Sequence, residues 1–201
     1  METNTTFNAG LTALDICNTA LSKLGEAPLS AINANGTLPS RLCYMHYHPA
    51  RREVLCATRW SFAMRKTTLK SAEPAPDDQH AVSHTLPTDC LRVLNVNCSQ
   101  WMLRGRCVYC PVSEIKLLYT ADIEDCKLFE PLFAEALATR LACKLCIPLI
   151  NSTTALQALR DEYRRVALPQ AAHANAIQTH SNDQHPLFRI WKRNRYGRWC
   201  E

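Results

Sequence analysis

Leu11, Leu14, Cys17, Leu21 and Leu24 recur at steps of 3, 3, 4 and 3, so the spacing predicts an amphipathic helix over about 11–25. Gly25 supplies a left-handed stop, and Pro28 follows where the chain has left the helix. Asn33, Asn35, Gly36 and Pro39 mark a loop before a second helix at about 40–58, whose apolar positions include Leu42, Met45, Val54 and Leu55. Pro49 falls inside that helix and predicts either a kink or a short helix followed by a fresh one.

From Trp60 the period shortens to two. Trp60, Phe62 and Met64 alternate with small residues, and the strand continues through Leu69. Residues 71–84, with Glu73, Pro74, Pro76, Asp77 and Asp78, read as a polar loop. Leu91, Val93 and Val96 belong to a second strand, Gly105 sits at a hairpin turn between residues 101–103 and 106–109, and Ile115, Leu117 and Tyr119 alternate again. The expectation is a β-meander of four or five strands over about 59–120.

Helical spacing then returns. Asp122 is a candidate cap and Pro131 suits a first helical position. Phe133, Leu137, Leu141 and Leu145 repeat every four residues, interleaved with Ala134, Ala138 and Ala142, over about 131–147, where Pro148 ends the element. Asn151 or Ser152 caps a last helix over about 152–177, with Leu156, Leu159, Tyr163 and Val166 on one face and a kink or end expected at Pro169. Arg160, Asp161, Arg164 and Arg165 lie opposite and read as a solvated or an inter-subunit surface. The fold class is α+β: a helical bundle built from both ends of the chain with a small antiparallel insert, one domain over 1–179, and an extended arm over 180–201.

Charge changes the picture at one end. The chain of 201 residues carries 23 Lys and Arg against 18 Asp and Glu. Arg189, Lys192, Arg193, Arg195 and Arg198 face only Glu201 in the last sixteen residues, so a nearly neutral body ends in a basic arm. Phe188, Trp191, Tyr196 and Trp199 are interleaved with those cations, the Arg-plus-aromatic composition of binding hot spots. Such an arm suits an acidic groove on a partner or, alternatively, nucleic acid, where Arg pairs with phosphate and rings stack on bases.

Candidate chemistry is sparse. The 5 glycines are too dispersed for a phosphate loop or a dinucleotide fingerprint. No G-x-S-x-G or H-E-x-x-H occurs, and His46 and His48, two apart, fall on different sides of a helix. Asp77-Asp78 reads as a solvated turn and Glu124-Asp125 as serving a helix start. Among 11 cysteines, Cys107/Cys110 and Cys143/Cys146 form two C-x-x-C pairs, the half-site of zinc. Their separation exceeds that of a compact ribbon, and the second pair lies on a helix, so reduced structural thiols are the leading reading and zinc the alternative. No enzyme activity and no cofactor are expected. No apolar run is long enough to span a membrane and no secretory leader is visible, which predicts a protein made in the cytoplasm.

Six segments taken in order resemble a known family. They begin with Ala13 through Pro28 (ALDICNTALSKLGEAP), Tyr47 through Leu55 (YHPARREVL), and Trp60-Ser-Phe62-Ala63. They continue with Leu86 through Val93 (LPTDCLRV), Tyr119-Thr-Ala-Asp122, and Phe133 through Ala142 (FAEALATRLA). Over residues 10–178 the set is similar to the head–tail connector, or adaptor, proteins of short-tailed phages, the tail tubular protein A group. The resemblance implies a structural virion protein at the head–tail junction, made in the host cytoplasm. It implies a ring of twelve copies that docks beneath the portal protein, extends the channel for genomic DNA and supports the tail nozzle protein. In that setting the helical part faces neighbouring copies through surfaces such as Arg160, Arg164 and Arg165. The arm, through Phe188, Arg189, Trp191, Arg193, Arg195, Tyr196, Arg198 and Trp199, docks into the portal. No membrane is involved.

Overall fold

The computed structural model describes residues 10–70, 73–74 and 82–178. Asp77-Asp78 and the arm, with Phe188, Arg189, Trp191, Arg193, Arg195, Tyr196, Arg198 and Trp199, lie outside the described residues.

Helix α1 (Ala13–Ser22) starts at a capping box in which Thr12 Oγ1 accepts the Asp15 N–H at 3.2 Å and Asp15 Oδ2 accepts the Thr12 N–H at 2.9 Å. It stops as the glycine foretold. Gly25 has φ +75, its N–H donates to Ser22 O at 3.1 Å, and the Glu26 N–H reaches back to Leu21 O at 3.1 Å. Helix α2 (Leu38–Ala57) passes through Pro49 as one element. The carbonyl that Pro49 leaves without a donor belongs to Met45, whose side chain is 62% exposed, so it sits on the side open to water.

Helix α3 (Pro131–Ile150) begins at Pro131 and runs past Pro148 by two residues before Asn151, at φ 47, closes it. Phe133, Leu137, Leu141 and Leu145 are fully buried, and Ala134, Ala138 and Ala142 are buried beside them. Each large side chain so buried is worth about 1.5–3 kcal/mol, which makes α3 the axis on which α1, α2, α4 and α5 pack.

Ser152, not Asn151, caps α4 (Thr153–Glu162) by accepting the Ala155 N–H at 3.2 Å. A π turn over Tyr163–Ala167 joins α4 to α5 (Leu168–Gln178), with the Leu168 N–H bonded to Tyr163 O. The wider turn directly before Pro169 makes room for its ring, so the helix does not end there and continues through the segment that could remain helical.

The insert departs furthest from expectation. Residues Ser61–Ala63 form a 3-10 turn, and Trp60 is fully buried with its indole N–H donating to Val54 O at 2.8 Å. Strands β1 (Met64–Lys70), β4 (Cys90–Val96) and β7 (Glu114–Ala121) make one antiparallel sheet in the order β1-β7-β4. Strands β2 (Glu73–Pro74), β3 (Val82–Thr85), β5 (Met102–Arg104) and β6 (Cys107–Cys110) make a second, in the order β2-β3-β6-β5. The single meander is thus replaced by two sheets whose central pairings are non-sequential. Gly105 turns β5 into β6 at φ +58, as the hairpin reading required. Part of the segment read as a loop over 71–84 is strand, because β3 is held by β6 and its His84 is fully buried.

An aromatic knot ties the insert to the helices. Phe133 lies 4.9 Å from Trp60, 5.0 Å from Phe62 and 4.7 Å from Phe129, centroid to centroid.

Candidate functional site

Helix α2 carries two charged arrangements on successive residues. Arg51 is flanked by the buried Tyr47, Ala50 and Val54, and its own side chain is fully buried. It donates to Asp122 Oδ1 at 2.7 Å and Glu124 Oε1 at 3.1 Å, while Arg52 Nε donates to Asp122 Oδ2 at 2.7 Å. Asp122 is placed by its N–H bond to Asp89 O at 2.7 Å, so it is an ion-pair partner and not the cap of the following helix. Tyr119 of β7, three residues earlier, donates to Asp89 at 3.2 Å. Among the described residues Arg51 Nε and Nη1 have no hydrogen-bond partner. A buried cation with one strong carboxylate partner is a structural tie: its removal leaves an unpaired charge. Asp125 accepts the Lys127 N–H at 3.0 Å and caps a 3-10 turn over Cys126–Leu128.

The next residue, Glu53, points the other way. Its carboxylate accepts from Lys144 Nζ at 2.6 Å and from Arg140 Nε at 2.8 Å. Burial raises the Glu53 pKa, and the bonds from Lys144 and Arg140 more than offset it, so the carboxyl is held below its ordinary value. The Arg140 guanidinium also lies over the Tyr163 ring, 5.7 Å from its centroid. Glu53, Arg140 and Tyr163 line an open cleft of about 700 Å³, together with Cys56 and Ala57 from the end of α2. Arg160 and Arg164, one turn apart on α4 and the π turn, complete its lining. Neither has an acidic partner among the described residues. Arg165 is outside the cleft, 79% exposed and 3.9 Å from Asp161. The structure therefore brings two of the three expected interface arginines together and sets the third apart. Glu53, Arg140 and Tyr163 were not foreseen, since only the fold brings residues 53, 140 and 163 side by side.

The remaining candidates stay dispersed. Cys107 and Cys110 are on β6 and Cys143 and Cys146 inside α3, and among the described residues no three Cys, His, Asp or Glu are grouped to hold a metal. Burial pushes the thiols of Cys110, Cys143 and Cys146 up, away from the reactive thiolate form. His46 is half-buried and its pKa lowered by burial and by Lys144, whereas His48 is exposed. His84, which the pattern did not mark, bonds through Nε2 to Val112 O at 2.9 Å. The chain matches no protein-family model and no curated protein.

Proposed function

We propose that this chain is the ring-forming head–tail connector of a short-tailed phage, docking beneath a portal and extending the DNA channel toward the tail nozzle. The carrying observation is that the six family-like segments, ordered along the chain, are also joined in space. Lys23 of the first pairs with Glu135 of the sixth at 2.6 Å, and Arg51 of the second with Asp122 of the fifth at 2.7 Å. Trp60 of the third meets Phe133 of the sixth edge to face, and Tyr119 of the fifth bonds Asp89 of the fourth. A ring subunit needs no reacting centre. It needs a rigid body and outward surfaces for other proteins, here the α4 arginines and the basic aromatic arm.

Mixing the purified chain with its portal and imaging the product tests this, and a chain that stays monomeric and never joins the portal would refute it. Trp191→Ala and Trp199→Ala should each weaken portal attachment by about 2 kcal/mol with the fold intact. The basic, aromatic composition of residues 186–201 favours one second reading, a nucleic-acid-binding module. It predicts DNA affinity that falls steeply with salt and is lost on deleting residues 186–201.

A further inference from the structure

We propose that the cleft between α2, α3 and α4 receives the acidic segment 73–78 of a second copy of this chain, an inference that rests on the ring reading above. The cleft has a surplus of positive charge: Arg140 and Lys144 already neutralise Glu53, and Arg160 and Arg164 add two cations with no acidic partner among the described residues. Exposed guanidinium groups one helical turn apart in a partly apolar lining suit carboxylates carried on a peptide. The Glu53 carboxylate in the lining and the concave shape disfavour the regular phosphate rows of a duplex.

The chain supplies such a peptide. Between Lys70 and Val82 it carries Glu73, Asp77 and Asp78 and no Lys or Arg, with Pro74 and Pro76 limiting the backbone freedom lost on docking. Topology puts Lys70, after which the segment begins, and the cleft at opposite ends of the first sheet. Arg92, whose register partner Thr120 lies opposite Met64, donates to Cys56 O at 2.9 Å, so that rung borders the cleft. Lys70, from which the acidic segment departs, is six strand residues further on, about 20 Å. A basic cleft and an acidic segment of the same chain are two different, complementary elements, the head-to-tail relation that closes a ring when repeated.

Charge swapping on the full-length chain tests the contact, read by sedimentation of each protein across concentration at low salt. One variant carries Arg160→Glu and Arg164→Glu, the other Asp77→Arg and Asp78→Arg. Each alone should self-associate at least ten-fold more weakly than the wild type, and an equimolar mixture should recover wild-type association, since every junction then pairs opposite charges. Variants that associate normally, a mixture that shows no rescue, or a wild type that stays monomeric would overturn the contact. Portal attachment, measured separately, keeps the two ideas apart. A chain that joins the portal whatever its charges loses this contact and keeps the connector assignment; one that obeys the swap rule but never joins the portal does the reverse.

Discussion

Arg51 and Arg164 are the same residue type at opposite extremes of use. Arg51 is sealed inside the protein against Asp122 and Glu124, with the insert's last strand delivering both acids to it. Arg164 stands exposed at a cleft with Arg160 beside it and no acid of the described chain to answer either. A cation in the first position fixes how the sheet sits on the helices. A cation in the second leaves its interaction energy for something outside the molecule.

The sharpest way to break that contrast is Asp122→Ala. It strands Arg51 in the interior with only Glu124, whose side chain is 67% exposed, and should cost about 3–5 kcal/mol of stability. A fall in the urea midpoint of that size is the expected result. A loss under about 1 kcal/mol would mean that Arg51 is hydrated and not the tie described here.

How much of this was legible follows the range of the interactions. Helices α1 and α3 were readable because their signals are local: a stripe at Leu14, Cys17 and Leu21, a glycine at the stop, a proline at the start. No helix ends at its proline: α2 runs through Pro49, α3 runs two residues past Pro148, and α5 contains Pro169. Buried residues stand on either side of Pro49 and Pro169, and the π turn lies directly before Pro169. The insert was half legible. Alternation marks Ile115, Leu117 and Tyr119 as strand but cannot say that β7 lies between β1 and β4, a pairing that closes over fifty residues of chain. The cleft was least legible, for Glu53, Arg140 and Tyr163 have no spacing in common. A signal did exist for Arg51: it sits one turn after Tyr47 and three residues before Val54, on an otherwise apolar stripe.

Glu53 separates the two regimes, since it belongs to the cleft yet is already paired. Its carboxyl is held below the ordinary 4.5, so it contributes stability above that value and loses it as pH falls through the lowered folded value. Glu53→Gln should therefore cost at most about 1 kcal/mol at neutral pH, because the side chain is 42% exposed, and the cost should vanish in acid. Wild type and variant should converge in a series of urea melts taken from neutral pH to below 4.5. A gap that persists or widens there would mean that the Lys144 and Arg140 bonds do not favour the ionised form.

The smallest effect on stability is the most telling. Arg160→Ala with Arg164→Ala removes two exposed cations that have no acidic partner among the described residues, so the urea midpoint should move by no more than about 0.5 kcal/mol. Relief of the repulsion between Arg160 and Arg164 offsets part of that change, as like charges four residues apart on a helix destabilise one another. Yet the pair is expected to matter for association, because two exposed cations at the cleft are placed to pair with carboxylates of another copy. If the double variant instead unfolded the protein, both arginines would be structural, Arg51 and Arg164 would cease to differ in kind, and the cleft would lose its standing as a contact surface.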